Sequence, residues 1–413
     1  MIHRASTSRH RVLVLTPFPP RLDGPHGGAR VMAQLLSLLA LRHELALLTL
    51  RGPGDLAVDP VVARRSAIVT EIPRPGGELA LFGRWKRLAQ LGLALPGGTP
   101  AWAVDWRIPR FAEELRSVTR SWTPDVVQAE FGVMGQYLAA VPPPARRLLV
   151  EHDPGHRAAV EALRAAHGFA RLPARAEVRS WSRYEQRVLA NVDAAAVFTE
   201  YDRRALVAAS PGLVVRRLRL GADLPEAPLD PLGTDPPTLL FVGSYDHPPN
   251  VDAALRLATG IFPRVTSRRP DARLVLVGPA PPPRLRAAAT AGVEVTGLVD
   301  EVRPYLDRAA VVVAPLRLGG GMRVKVLEAL AAGKATVASR LAVEGLDVAD
   351  GRELLVADSD EEFADQILRL LGNPVERETL ASEARRWAEQ NLGWDAALDA
   401  LDSLYDRLVE SRA

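Results

Sequence analysis

Short, continuous apolar runs recur along the whole chain, and segments with helical periodicity separate them. The first series includes Val12–Thr16, Leu45–Leu50 and Val126–Gln128, and a second series begins at Thr238–Val242. Runs of this length without polar alternation are typical of parallel strands that are buried on both faces. Helices between such strands build βαβ units, so the pattern predicts an α/β fold with doubly wound parallel sheets.

A proline-rich stretch separates the two series. Residues 221–237 contain five prolines, which is typical of a linker, and 413 residues are too many for one ordinary core. We therefore expect a Rossmann-like domain over residues 1–225, a second Rossmann-like domain over residues 226–390, and a terminal helix over residues 391–413 that packs back toward the first domain. Such domains would face each other across a cleft.

The composition argues against several classes of protein. The chain has no cysteine, so disulfides and thiolate metal sites are excluded. Its formal net charge is only +3 and we find no stripe of basic residues, which argues against a nucleic-acid partner. No signal-peptide core and no run of roughly 18 apolar residues is found. We expect a cytoplasmic protein, and peripheral contact with the inner membrane face stays open.

The segment over residues 314–333 carries the strongest functional signal. A strand is expected to end at its start, and Gly319, Gly320 and Gly321 then lead into a helix that is predicted to begin near Met322. Glycine lets backbone N–H groups approach a ligand closely. A helix N-terminus adds unpaired N–H donors and a positive dipole end. This combination suits a bound phosphate.

Two cations near the start of that helix strengthen the prediction. Arg323 and Lys325 oppose the helix dipole at a cost of roughly 0.3–1 kcal/mol, and no carboxylate in the first turn offsets them. A bound diphosphate would offset them. Glu328 lies three residues beyond Lys325 on the same side, and an ordinary surface ion pair between the two stays open. The buried side of the helix is predicted to consist of Val324, Leu327 and Ala331.

Further glycine turns follow other predicted strands of the same sheet. Gly243 and Ser244 come directly after Thr238–Val242, and Gly278 comes after a strand that ends at Val277. Because the carboxyl ends of parallel strands meet at one edge of a sheet, the three turns together predict a nucleotide site.

Candidate site residues in the N-terminal half also follow predicted strands. Gly27 and Gly28 precede a helical pattern but form no G-x-G-x-x-G motif, so a plain turn stays an alternative. His152 follows the strand Leu148–Val150 and is expected to point into the cleft, unless its role is structural. Glu130 also ends a strand, where it would contact the acceptor or lie solvated on the surface.

The segment Leu79–Leu95 mixes Trp85 and basic residues with apolar ones. Such a mixture suits a membrane surface beside a lipid-linked acceptor. Anchoring by charge requires more basic residues than this segment has, so a helix that covers the first core is the favoured interpretation.

From Phe241 to about Leu371, the chain resembles the donor domain of family 4 glycosyltransferases, which have the GT-B fold. The likeness includes Glu344-Gly-Leu346 and the run Asp350–Asp358, and it is greatest for the branch with a glycine-rich GGGxRxKxLEA segment. The resemblance implies transfer of a hexose-type sugar from a nucleoside diphosphate sugar, with retention of anomeric configuration. It implies neither a resident cofactor nor an essential metal, and the acceptor could be a glycan, a lipid-linked glycan or a small molecule.

The same resemblance assigns roles to the candidate residues. Glu328 would hold the ribose hydroxyls of the donor, and the Gly27–Gly28 loop would face the donor phosphate and sugar across the cleft. His152 would lie close to the transferred sugar. The remaining donor contacts would come from the three glycine turns, namely Gly243, Ser244, Gly278, Gly320, Gly321, Met322, Arg323 and Lys325.

The sequence departs from the family pattern at two places. Family members usually carry two glutamates eight residues apart, and Gly320 stands where the first would be. Tyr245 and residues 248–250 stand where an arginine and a lysine often bind the diphosphate, so we expect Arg323 and Lys325 to take over that role. A GT-B-shaped binding protein without turnover stays an alternative, and an epimerase of nucleotide sugars is a less favoured one.

Overall fold

Two parallel β-sheets organise the chain in this computed structural model, which describes residues 8–24, 27–75, 98–152, 154–219, 221–222, 224–319 and 323–410. The strands of the first sheet are β1 (Arg11–Thr16), β2 (Glu44–Arg51), β3 (Ile68–Pro73), β4 (Val126–Glu130), β5 (Arg146–Glu151), β6 (Ala194–Val197) and β7 (Val214–Arg217). Those of the second are β8 (Thr238–Val242), β9 (Arg273–Val277), β10 (Val293–Gly297), β11 (Val311–Ala314), β12 (Thr336–Ala338) and β13 (Leu355–Val356).

Helices connect these strands. In the first half they are α1 (Gly27–Arg42), α2 (Pro60–Arg65), α3 (Ala101–Asp105), α4 (Pro109–Trp122), α5 (Gly132–Gly135), α6 (Gly155–Ala165), α7 (Arg171–Leu189) and α8 (Glu200–Ala209). In the second half they are α9 (Pro248–Arg256), α10 (Phe262–Thr266), α11 (Pro283–Arg286), α12 (Arg303–Arg308), α13 (Val324–Ala331), α14 (Asp360–Gly372), α15 (Pro374–Asn391) and α16 (Trp394–Glu410). Short 3₁₀ turns cover Leu138–Ala140, Gly168–Ala170 and Leu341–Val343, and a π turn covers Leu257–Ile261.

Both sheets are doubly wound. Their strand orders are β3-β2-β1-β4-β5-β6-β7 and β10-β9-β8-β11-β12-β13, and the pairings are parallel. The direction of winding therefore reverses between β1 and β4 in the first sheet and between β8 and β11 in the second. Such switch points open a crevice at the carboxyl edge of a sheet. The predicted α/β class with two doubly wound parallel sheets is confirmed.

Burial on both faces explains why the strands lack polar alternation. Val14 of β1 packs in one hydrophobic cluster with Met32 of α1. Its neighbour Leu15 packs in a different cluster with Phe111 of α4. Successive side chains of a strand point to opposite faces, so both faces require apolar residues when helices cover both.

The last helix of the chain, α16, packs on the first sheet. Leu401 and Leu404 are buried in the same hydrophobic cluster as Val14 of β1. Polar contacts support this position, since His43 Nε2 lies 2.8 Å from Asp402 Oδ1 within the buried layer. The helix that ends the sequence is thus part of the hydrophobic layer built on the first strand.

No helix within the described ranges combines the length and the apolar character needed to cross a membrane.

We expect Leu401→Ala to lower the free energy of unfolding by about 2–5 kcal/mol, because it leaves a cavity between α16 and the first sheet. Leu41→Ala is the matched control, since 63% of the Leu41 side chain is exposed; it should change stability by no more than about 0.5 kcal/mol. Urea denaturation of both variants measures the difference. Equal stability of the two variants would contradict the packing of α16.

Candidate functional site

Segments that follow strands of one sheet contact segments that follow strands of the other. Helix α1 follows β1 and approaches α13, which follows β11. Arg30 Nη2 of α1 lies 2.8 Å from Glu328 Oε1 of α13. A Cβ atom built on Gly27 would lie only 2.9 Å from Val324 Cγ1. The carboxyl edges of the two sheets therefore form a common cleft, the place where doubly wound proteins bind ligands.

Helix α6, which follows β5, adds two further contacts across this cleft. Glu161 Oε2 accepts a hydrogen bond of 2.7 Å from the backbone N–H of Gly319. The guanidinium of Arg157 pairs with Glu344 Oε2 at 2.5 Å and lies 4.4 Å from the ring centroid of Tyr201. The two domains thus meet through charged and polar groups along one rim of the cleft.

Lys325 lies at the switch point of the second sheet. Its Nζ donates a hydrogen bond of 2.6 Å to Asn250 Oδ1 of α9 and lies 5.3 Å from the ring centroid of Phe241. Burial and, after it, the positive charge of Arg323 lower the pKa of the Lys325 ammonium to about 7, against the opposing effect of Glu328. An anion placed here would restore the full charge of the lysine.

Arg323 has a different position from the one expected. It is the residue just before α13, not part of the first turn, and only 7% of it is exposed. Its Nη2 donates to the carbonyl of Gly319 at 2.7 Å, and its Nε donates to the carbonyl of Leu341 at 3.3 Å. These bonds orient the backbone before α13. The positive charge of the buried Arg323 guanidinium still acts on the site electrostatically.

The predicted buried side of α13 is wrong at Val324. Leu327 and Ala331 are buried as expected, but Val324 is only half-buried. The reason is the contact with Gly27, which places Val324 toward the other domain and not toward the core.

The glycine turns after β8 and β9 lie against each other. A Cβ atom built on Gly278 would lie 1.9 Å from the carbonyl oxygen of Gly243, so no larger residue fits there. Asn250 Nδ2 donates to the Ser244 carbonyl at 2.7 Å, which joins this turn to Lys325. The structure therefore brings together Gly243, Ser244, Gly278 and Lys325 at one edge.

Sequence reasoning missed three residues at this site: His247, Asn250 and Arg30. Loss of surrounding water lowers the pKa of the His247 imidazole to about 4, and the charges of Lys325 and Arg323 contribute in that order. The ring is therefore neutral at pH 7. The dipeptide His247-Pro248 directly before a helix was the available signal, whereas nothing local marks Arg30 as the partner of Glu328.

The expectation for Glu130 is wrong in both of its forms. The residue is completely buried, so it neither lies solvated on the surface nor reaches an acceptor. Its Oε2 lies 2.6 Å from His152 Nε2, and its Oε1 accepts a hydrogen bond of 2.5 Å from Gln128 Nε2. Glu130 ends the central strand β4, where Phe131 and the neighbouring strands exclude water. Its carboxylate fixes the orientation of the histidine.

His152 is buried and does not project freely into the cleft. Its ring stacks on Phe131 with centroids 4.0 Å apart and lies 5.0 Å from Phe198. Within the described part of the chain, its Nδ1 has no hydrogen-bond partner. The ring borders a narrow cavity whose lining includes Met32 of α1 and Trp394 of α16. One polar atom of the ring, itself buried, thus has no hydrogen-bond partner among the described residues.

Several predicted residues lie outside the described residues, namely Gly320, Gly321, Met322 and the segment Leu79–Leu95. Gly28 is described and occupies the first turn of α1 beside Gly27. In the part of the chain that the structure describes, no three His, Asp or Glu side chains gather to hold a metal ion.

Residues 236–373 match the family described as "Glycosyl transferases group 1". Over 187 residues the chain is 30% identical to the phosphatidyl-myo-inositol mannosyltransferases of Mycobacterium tuberculosis and Mycobacterium bovis. This match covers 43% of the chain and 48% of the relatives, so the chain spans about half the length of the curated relatives it matches.

Solved structures share the fold over nearly the whole chain. Sucrose-phosphate synthase from Thermosynechococcus elongatus aligns with a TM-score of 0.70 at 17% identity, over 98% of this chain and 100% of its own. WaaG, a glycosyltransferase involved in lipopolysaccharide biosynthesis, aligns with a TM-score of 0.65 at 17% identity, over 95% and 99%. Anabaena HepE in complex with UDP and glucose aligns with a TM-score of 0.64 at 12% identity, over 96% and 100%. The chain therefore has the GT-B fold.

We expect Gly27→Val to separate the two domains, because any side chain at this position collides with Val324. Small-angle scattering should show a larger radius of gyration, and Val324→Ala in the same chain should restore the native value. Gly393→Val is the control, since no atom lies within 4 Å of a Cβ built there. An unchanged radius for Gly27→Val would contradict the contact across the cleft.

Proposed function

We propose that the protein is a glycosyltransferase of family 4 that moves a hexose-type sugar from a nucleoside diphosphate sugar to an acceptor. The observation that carries the proposal is Lys325, a lysine with a pKa lowered to about 7, at the start of a helix that follows a parallel strand. Among the residues that the structure describes, the carboxylate of Glu328 offsets only part of the positive charge at this site, and a diphosphate would supply the rest. The family match over residues 236–373 supports the same class of activity.

The donor would lie along the carboxyl edge of the second sheet. Glu328 would accept hydrogen bonds from two ribose hydroxyls, which suits a carboxylate with two oxygens. In the ligand-free protein its Oε1 is paired with Arg30, and both side chains are about 30% exposed. Exposed pairs of this kind contribute only about 0–1 kcal/mol, so a bound diol can displace Arg30 at little cost. Arg30 then faces the donor.

Transfer would proceed by stabilising the leaving diphosphate. Negative charge develops on the diphosphate as its bond to the sugar breaks, and Lys325, the charge of Arg323 and the N-terminus of α13 would offset that charge. These groups supply the positive charge for which other enzymes use a metal, so we expect no essential metal and no resident cofactor. The backbone around Gly243, Ser244 and Gly278 would approach the donor closely.

His152 would act on the sugar side. Glu130 holds Nε2, which leaves Nδ1 as the atom that can bond to a sugar hydroxyl or to the reaction centre. The Gly27–Gly28 turn would face the same sugar from α1. We propose retention of anomeric configuration on the strength of the family resemblance. Among acceptors, the name of the mycobacterial relatives supports a lipid over a free glycan or a small molecule.

The first test is thermal shift against a panel of nucleoside diphosphates and their sugar conjugates. A nucleotide present at about 100 times its Kd should stabilise the native protein by about 2.7 kcal/mol. Glu328→Ala should lose this stabilisation. Glu361→Ala, at an exposed carboxylate on α14, should keep it. The stabilising nucleotide then names the donor for transfer assays. If no nucleotide stabilises the protein, the proposal fails in favour of a GT-B-shaped binding protein without turnover.

Donor binding should also take up a proton. Because the pKa of Lys325 is about 7, the lysine is mostly neutral at pH 8 and mostly charged at pH 6. A neighbouring diphosphate raises this pKa, so we expect uptake of nearly one proton per donor at pH 8 and little at pH 6. Calorimetry in buffers of different ionisation enthalpy measures the uptake.

A nucleotide sugar is the appropriate ligand for that experiment, because its diphosphate has no group that titrates near pH 7. Lys325→Arg is the matched variant, since arginine keeps its charge at pH 8. It should bind the donor without proton uptake at pH 8. Equal uptake by the native protein and the variant would place the titrating group elsewhere.

A further inference from the structure

Five arginines recur at every fourth position of α7: Arg171, Arg175, Arg179, Arg183 and Arg187. All five are exposed. At 1.5 Å per residue they extend over about 24 Å of the helix, and the spacing of four keeps them on one broad side. The expectation that the chain has no basic stripe is therefore wrong. The net charge of only +3 does not reveal the stripe, because acidic residues elsewhere in the chain balance its positive charge.

Helix α7 has no exposed carboxylate of its own to balance this side. The helix contains two glutamates, and neither is exposed. Glu185 turns inward, where its Oε1 accepts a hydrogen bond of 3.0 Å from the backbone N–H of His156. Glu177 is half-buried. Arg171, Arg175 and Arg179 form no ion pair with any residue that the structure describes, whereas ordinary exposed helices intersperse both signs of charge.

Exposed apolar side chains accompany the stripe, both at its N-terminal end and farther along α7. Phe169, in the turn before α7, is 94% exposed, and Leu172 in its first turn is 65% exposed. Trp102 of α3 is 45% exposed and lies 5.7 Å from the ring of Trp181 on α7. Exposed aromatic residues beside clustered arginines are typical of surfaces that enter the interface of a membrane.

Helix α6 sets the distance between this surface and the cleft. Its first turns carry Arg157 and Glu161, which contact the second domain, and its last turn leads to Phe169. Eleven residues of helix span about 16 Å. About one helix length therefore separates Phe169 from the contacts that α6 makes with the second domain.

We propose that Arg171, Arg175, Arg179 and Arg183, together with Phe169 and Leu172, form a surface that docks the protein on an anionic membrane. Guanidinium groups would bind lipid phosphates in bidentate fashion, and the two apolar side chains would enter the boundary between headgroups and acyl chains. Attraction to anionic lipid and apolar insertion are two separate signals, which stable peripheral binding requires. This proposal does not depend on sugar transfer.

An anionic lipid surface fits these observations better than a nucleic acid does. The exposed apolar residues Phe169 and Leu172 lie together at one end of the stripe, in the turn before α7 and in its first turn. Nucleic-acid sites place aromatic residues within a basic groove, where bases can stack. Exposed apolar side chains at one end of a basic helix match a membrane surface, which is negatively charged at the headgroups and apolar beneath them.

The test is sedimentation of the full-length protein with vesicles. We expect binding to vesicles with 30% phosphatidylglycerol in phosphatidylcholine to be at least tenfold stronger than to phosphatidylcholine alone, and to weaken at 0.5 M salt. The variant Arg171→Gln/Arg175→Gln/Arg179→Gln should lose at least tenfold. The matched control removes three exposed arginines of α4, Arg110→Gln/Arg116→Gln/Arg120→Gln, and should bind like the native protein.

A second variant tests the apolar part. Phe169→Ser should weaken binding several-fold and leave its salt dependence unchanged, because no charge is removed. Circular dichroism and melting temperature check that each variant folds, which the exposure of all these side chains favours. Equal losses for the α4 and α7 variants would overturn the proposal, since any loss of charge would then suffice. Tighter binding to a single-stranded oligonucleotide than to the anionic vesicles would overturn it in favour of a nucleic-acid surface.

Discussion

Parallel pairing of the strands is the constraint on which the rest of the structure depends. When every strand of a sheet runs in one direction, all loops that follow the strands leave at the same edge. Two such edges face each other here, and contacts such as Arg30 to Glu328 and Glu161 to Gly319 lie where they meet. The cleft is therefore a direct product of topology. Its chemistry then depends on which side chains stand at the strand ends.

Positive charge dominates the second domain's side of that cleft. Burial is the main cause of a pKa of about 7 for Lys325 and of about 4 for His247, and the positive charge of Arg323 contributes to lowering both. A site of this kind binds an anion well because the anion offsets the repulsion among the positive side chains that bind it. The Arg30–Glu328 pair is partly exposed, so it can open when a ligand enters without a large loss of stability.

A chain of hydrogen bonds connects the last helix to the centre of the first sheet. Tyr405 donates to Gln128 Oε1 at 2.5 Å, Gln128 donates to Glu130, and Glu130 holds His152. Buried polar groups are tolerated only when they are bonded to one another, and this network meets that condition except at His152 Nδ1. The docking of α16 thus also determines how the histidine is oriented.

Properties that depend on neighbours in the chain were predictable from the amino-acid sequence. Continuous apolar runs predicted the parallel α/β class. Glycines at predicted strand ends indicated the turns at Gly243 and Gly278 and the segment that leads to Lys325. Whether Glu130 is solvated or buried was decided only by the tertiary structure, because its partner His152 follows another strand and Tyr405, which bonds to the adjacent Gln128, comes from the last helix. The pairing of Arg30 with Glu328 likewise requires the two sheets to face each other. Local sequence specifies strands, helices and turns, whereas contacts between distant residues depend on how those elements pack.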